Sequence, residues 1–196
     1  MRTSSRGRGP ALRGHTALRA GDTSLLMIDM QERLLPVIHD HGPIIENAVR
    51  LLTAAREMSL PVIVTEQYPK GIGPTTSELA ELIPPGSPVL AKVSFSCCGA
   101  PGFDAALVAT GRSTVVAFGV ETHVCVLTTV MDLLARGYRV VLAADACGSR
   151  AHERHVMGID AARDLGALVV PTETVVYQML GRAGTPQFKA LLPLFR

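Results

Sequence analysis

Asp29, Glu66, Lys92 and Asp145 each stand at the carboxyl end of a short apolar run, and Cys125 follows a fifth run closely. A carboxylate can take and return a proton, an ammonium can hold a neighbouring carboxylate ionised, and a thiol becomes a strong nucleophile once its proton is removed. One residue of each type, Asp29, Lys92 and Cys125, comes from a separate run. Any one of them alone is unremarkable. Their value depends on whether the fold brings the run ends together.

The runs cover residues 24–28, 61–65, 88–91, 114–119, 139–144 and 167–171. They are nearly continuous in Val, Ile, Leu and Ala rather than alternating, as expected of strands covered on both faces of a parallel sheet. Between the first two, Ile45, Ala48, Leu52 and Ala55 recur at helical spacing. Between the fourth and fifth, Leu127, Val130, Met131 and Leu134 form a stripe that ends at Gly137, a C-cap signal. Val126 and Leu133 lie off that stripe and fit either cover by the same chain or a subunit contact. A further short helix is expected over 187–192. The pattern predicts a single-domain, doubly wound α/β fold, Rossmann-like, with a mostly parallel six-stranded sheet and helices on both faces. Such sheets bind ligands at the carboxyl ends of their strands.

Composition narrows the partners. The 196 residues are 47% hydrophobic and 18% charged, with a mean hydropathy of +0.28, enough for one packed core. No uninterrupted apolar stretch reaches the roughly 18 residues of a membrane span, so no membrane partner is expected. Aromatics make up 4% and Trp is absent, which disfavours stacking platforms for nucleic acid. Of the 19 basic residues, Arg2, Arg6, Arg8, Arg13 and Arg19 fall within residues 1–21, which contain no acid; all 17 acidic residues lie in the body. A weakly acidic body again makes nucleic acid an improbable partner. Residues 1–20 read as a flexible Arg-rich extension adding little to the core, and 21–196 as the folded domain. Cys97, Cys98, Cys125 and Cys147 lack metal-type or redox-type spacing, which fits a reducing cytoplasm.

Familiar chemistries of this architecture can be tested against the strand ends. The first run is followed by Asp29-Met30-Gln31-Glu32-Arg33, not by a Gly-rich dinucleotide turn. No phosphate-binding G-x-x-x-x-G-K-[ST] loop and no G-x-S-x-G elbow occur, and position 31 is Gln rather than a second Asp. A cysteine nucleophile remains.

Four stretches carry a resemblance. They are Leu25-Leu26-Met27-Ile28-Asp29-Met30-Gln31, Lys92-Val93-Ser94-Phe95-Ser96-Cys97, Gly119-Val120-Glu121-Thr122-His123-Val124-Cys125-Val126, and Gly137-Tyr138-Arg139-Val140 with Ala144-Asp145-Ala146. In this order and spacing the chain, over about residues 22–180, resembles the isochorismatase-like cysteine hydrolases, which include nicotinamidases and N-carbamoylsarcosine amidohydrolase. The resemblance implies a catalytic triad of Asp29, Lys92 and Cys125. It implies an oxyanion hole from the backbone N–H groups of Glu121 and Cys125, aimed by a cis Val120–Glu121 peptide bond. Metal-dependent nicotinamidases carry His ligands after the second strand, where this chain has Glu66-Gln67-Tyr68-Pro69-Lys70, so neither metal nor other cofactor is expected. That loop is similar to the isochorismatase domain-containing branch, for which the family implies no firm substrate. Glu66, Gln67, Tyr68, Phe95 and His123 are candidates to line a substrate pocket, each with loop packing as the plainer reading. His39-Asp40-His41 has the look of a ligand set but falls in the loop before the first long helix. Ser149 fits the cap of a helix starting near Arg150.

On this reading Asp29 accepts the thiol proton, Lys92 keeps Asp29 ionised, and Cys125 sits in a first helical turn whose dipole favours thiolate. The expected function is metal-independent cleavage of a C–N bond in a small amide, imide or carbamoyl compound through a thioester, by a cytoplasmic homo-oligomer. The alternatives are vinyl ether hydrolysis of the isochorismatase type, or a catalytically idle oligomeric binding protein on the same scaffold.

Overall fold

The computed structural model describes residues 17–196. Six strands, β1 (Thr23–Ile28), β2 (Val62–Gln67), β3 (Val89–Lys92), β4 (Thr114–Val120), β5 (Arg139–Gly148) and β6 (Leu168–Val170), form one sheet in the order β3-β2-β1-β4-β5-β6. Every pairing is parallel. Helices α1 (His41–Met58), α2 (Pro69–Ile72), α3 (Ser77–Ala80), α4 (Phe103–Ala109), α5 (Leu127–Ala135), α6 (His152–Asp164), α7 (Thr172–Leu180) and α8 (Pro186–Leu191) connect and flank the strands. Of these, α1, α7 and α8 pack together, and α5 and α6 pack together, giving helices on both sides of the sheet. The doubly wound α/β architecture is the one the apolar runs predict.

The central strands explain why the pattern is legible. All six residues of β1 and all seven of β4 are buried. Parallel strands covered on both faces need no polar alternation, so their sequence is a plain apolar run. The strand order reverses between β1 and β4, and in such sheets the crevice at that switch point is where ligands sit. One glycine lets the two ends meet. Gly119 pairs with Ile28 at a φ of 126°, and a Cβ there would stand 2.1 Å from the Ile28 carbonyl oxygen.

Several local expectations are corrected. Leu18 lies within the range assigned to the extension, yet it is 1% exposed and its N–H donates to Gln178 Oε1 on α7. The folded body therefore reaches back to Leu18; residues 1–16 lie outside the described residues. Leu18→Ala is expected to destabilise the domain by about 2–4 kcal/mol, through lost burial and a residual cavity. A urea midpoint unchanged from the parent would contradict this.

On α5 the stripe is rotated. Val130 and Leu133 face the core with Thr129, and Val126 just before the helix is also fully buried, whereas Met131 is exposed. Cover by the same chain thus accounts for Val126 and Leu133. Ser149 does not cap α6, which begins at His152 after Ala151; its hydroxyl instead meets His123 Nδ1 at 3.0 Å. His41 opens α1 rather than lying in the loop before it. β5 runs past Asp145, whose carboxylate accepts the N–H and O–H of Thr172 at 2.7 and 2.8 Å and so anchors α7.

Candidate active site

Asp29 follows β1 directly and adopts a left-handed backbone conformation with φ of 54°. Asp tolerates this region better than most residues, and such strain tends to gather at functional sites. Its N–H donates to Thr65 O, tying the β1 end to β2. Lys92 arrives from β3, two strands away. Neighbouring strands lie about 4.8 Å apart, so the side chain must reach across β2, and it does. Lys92 Nζ stands 2.7 Å from Asp29 Oδ2, and both side chains are fully buried.

The ammonium is fully occupied. It donates to Asp29 Oδ2 and Gln67 Oε1, each at 2.7 Å, and to the carbonyls of Ser94 and Phe95 at 3.2 Å. The carboxylate is held from its other side by Thr65 Oγ1, which donates to Asp29 Oδ1 at 2.9 Å. With the hydroxyl proton so placed, the Cys97 thiol is left to donate to Thr65 Oγ1 across 3.4 Å. The Cys125 thiol is the third group near Asp29, close enough that the carboxylate raises the thiol and the thiol lowers the carboxyl. The structure thus brings Asp29, Lys92 and Cys125 together at the switch point. It adds Thr65, Gln67 and Cys97, whose contacts with the trio appear only when β2 and the loop after β3 are in place.

Cys125 lies in a wide π-type turn, Thr122–Val126, that leads into α5. The turn follows Val120–Glu121, whose peptide bond is cis. Glu121 O accepts the N–H groups of both Val124 and Val126. Thr129 fixes the turn from below: its hydroxyl donates to Cys125 O at 2.6 Å and accepts the Cys97 N–H at 2.9 Å. Thr128 also donates to Val124 O at 2.7 Å. Gly158 of α6 packs close above, where a Cβ would stand 3.0 Å from His123 Cα.

The electrostatics depart from expectation in one respect. Burial, followed by the nearby Asp29 charge, pushes the Cys125 thiol up to about 12, with Lys92 opposing. The dipole of a helical first turn does not make a resting thiolate here, since Cys125 is 6% exposed and faces a carboxylate. Burial likewise raises Asp29 above the usual carboxylate range, against the opposing pull of Lys92, Cys125 and Thr65. A carboxylate whose proton affinity has risen is a better acceptor for a thiol proton. The resting site therefore keeps the proton on sulfur beside a base ready to take it.

The weaker pocket candidates divide. Glu66 turns away to a structural task, accepting the N–H and O–H of Thr75 at 2.7 and 2.8 Å. Gln67 reaches Lys92. Tyr68 and Phe95 are exposed, 54% and 61%, on the loops beside the site together with Val93. His123 is bound to Ser149, and the Glu121 carboxylate pairs with Arg150 at 3.1 Å. Among the described residues no group of three His, Cys, Asp or Glu is placed to hold a metal, His39 and His41 included. A cleft of about 730 Å³ lies at the amino ends of β2 and β3, lined by Arg56, Pro61 and the 84–88 loop, at the end of the strands opposite the trio.

Comparison with known proteins defines the class first. The MAR1 ribonuclease of Caenorhabditis elegans superposes with a TM-score of 0.86 at 34% identity, covering 92% of each chain. YcaC of Pseudomonas aeruginosa, solved with hexane-2,5-diol and covalent acrylamide, gives 0.86 at 25% identity, again over 92% of each chain. The fold is that of an isochorismatase-like hydrolase. Residues 23–174 match the Isochorismatase domain. Isochorismatase domain-containing protein 1 of Salmo salar is 41% identical over 174 residues, 86% of this chain and 59% of that protein, so the chain spans well under two thirds of this relative's length. The chain belongs to the isochorismatase family and carries its Isochorismatase domain.

Proposed function

We propose that this domain is a metal-independent cysteine hydrolase that cleaves the C–N bond of a small amide, imide or carbamoyl compound through a thioester. The observation that carries this is the buried Lys92–Asp29 pair with the Cys125 thiol against the same carboxylate. A carboxylate held at 2.7 Å from an ammonium and beside a thiol has one productive move, to receive the thiol proton as sulfur attacks. The C–S bond forms while the carbonyl π electrons pass to oxygen, where the backbone N–H groups of Glu121 and Cys125 are the proposed donors. Collapse expels the nitrogen, which takes the proton back from Asp29. Water then adds to the thioester with Asp29 again as base, and the thiol is restored. Lys92 moves no proton in this scheme, because its N–H groups all point at protein oxygens.

Tyr68, Val93 and Phe95 leave apolar surface beside the site, which supports a small-molecule substrate held at a boundary between copies of the chain in a homo-oligomer. Four free cysteines support a reducing, cytoplasmic setting. No helix among the described residues is long and apolar enough to cross a membrane. The ribonuclease name of the Caenorhabditis elegans relative raises RNA as a substrate, but the weakly acidic body does not favour it. The vinyl ether alternative would use Asp29 as an acid and leave the thiol idle.

Incubation with a panel of small amides and carbamoyl compounds, followed by intact mass, tests the assignment. A transient acyl adduct on Cys125 is expected, the same adduct after exhaustive chelation, and none in Cys125→Ala. Amide turnover that survives Cys125→Ala would overturn the cysteine mechanism, and loss on chelation with rescue by a divalent metal would overturn metal independence.

A further inference from the structure

We infer that Gln67 is a positioning residue that sets the proton affinity of Asp29 through Lys92, and does not bind substrate; this rests on the cysteine hydrolase reading. Gln67 sits in the last position of β2, directly paired with Lys92 of β3. Its side-chain oxygen accepts from Lys92 Nζ at 2.7 Å, the same distance as Asp29, and its amide nitrogen donates to Val93 O at 3.0 Å. Both ends of the amide are thus committed, which fixes its orientation and turns its oxygen toward Lys92 rather than toward solvent.

The backbone of Gln67 is held as firmly. Its N–H donates to Gln31 Oε1 at 2.7 Å, and Gln31 Nε2 donates to Gln67 O at 3.0 Å and to Gly73 O at 2.6 Å. Gln31 is fully buried and stands two residues after Asp29. The two glutamines therefore brace the end of β2 against the turn that carries Asp29, with the Lys92 ammonium suspended between Gln67 and the carboxylate. A neutral acceptor at this place holds the ammonium without competing for its charge. A second carboxylate would compete, drawing the ammonium away and making Asp29 harder to ionise.

The test reads the rate of Cys125 alkylation by iodoacetamide against pH, with peptide mapping to separate the four cysteines. In the parent protein the rate is expected to rise through an acid limb as Asp29 ionises and then level off. Gln67→Glu is expected to move that limb upward by about 1 pH unit or more. Gln67→Met keeps the volume without the acceptor and is expected to lower the plateau several-fold, leaving Cys98 labelling unchanged. It carries the test if Gln67→Glu does not fold. A residue that merely lines the mouth would change KM for a substrate and leave the limb and plateau in place, and that outcome overturns the proposal. Failure of the underlying reading looks different: Cys125 of the parent itself would show no acid limb.

Discussion

Asp29→Asn is expected to lose amide turnover and Cys125 alkylation together. Without the carboxylate no group receives the thiol proton and none returns it to the leaving nitrogen, so amide turnover should fall by roughly 10²–10⁴-fold. The thiol should lose reactivity with it. Burial is the largest cause holding Cys125 near 12, and it remains when the carboxylate is gone. With no ionised base beside it the thiol keeps its proton, so alkylation of Cys125 at neutral pH should fall along with turnover. Lys92→Met should reach the same end by another route. It leaves Asp29 to burial alone, which raises the carboxyl further, and with the base protonated both alkylation and turnover are lost.

The stability changes should differ. Asp29→Asn strands a buried ammonium, a change of the kind that costs about 3–5 kcal/mol, whereas in Lys92→Met the carboxyl can protonate. A double variant should recover part of the stability lost in Asp29→Asn and none of the activity. Alkylation of Cys125 that persists in Asp29→Asn while turnover collapses would mean that the carboxylate is not the group that takes the thiol proton.

The sequence made the scaffold legible for a definite physical reason. Central strands buried on both faces lose the polar alternation of ordinary sheets, and these runs, with the shorter edge runs and the helical spacing between them, leave little freedom of architecture. The strand ends then point to Asp29, Lys92 and the Glu121–Cys125 segment, because the switch point collects them. What stayed hidden depends on contacts across strands. Gln67 reads as a loop residue until its pairing with Lys92 is seen, and Glu66, its neighbour, has an equal claim in the sequence but is bound to Thr75. Cys97 reads as an ordinary buried cysteine until Thr65 is found between it and Asp29. A helix start predicts a low thiol pKa for Cys125, whereas the turn is wide and buried, and burial and the Asp29 carboxylate push the thiol up. Leu18 escaped because a single apolar residue in an Arg-rich stretch carries no periodicity.

Folding stability should fall steeply in alkali, and the buried thiols are the cause. Burial is the first cause that holds Cys97, Cys125 and Cys147 up to about 12, from an ordinary value of 9.0. Below pH 9 the thiols keep their protons in both folded and unfolded chains, and their contribution is fully present. Above it the unfolded chain releases protons first while the folded chain holds them to about 12, so stability drains away as pH rises through this window. Each thiol adds a slope of about 1.4 kcal/mol per pH unit, and three together roughly 4, against a total stability on the order of 5–15 kcal/mol for a domain. Urea midpoints should therefore drop sharply between pH 9 and 11. Cys147 separates this effect from the active site, since it lies at the end of β5, paired with Gly119, and is not part of the Asp29 cluster. Cys147→Ala should lower stability by a constant amount for the lost packing and, in addition, flatten the alkaline slope by about one thiol's share. Curves for parent and variant that stay parallel through this window would show that the thiols ionise as freely in the folded protein as in the unfolded one. The same burial would then no longer explain why Cys125 has to wait for Asp29 to take its proton.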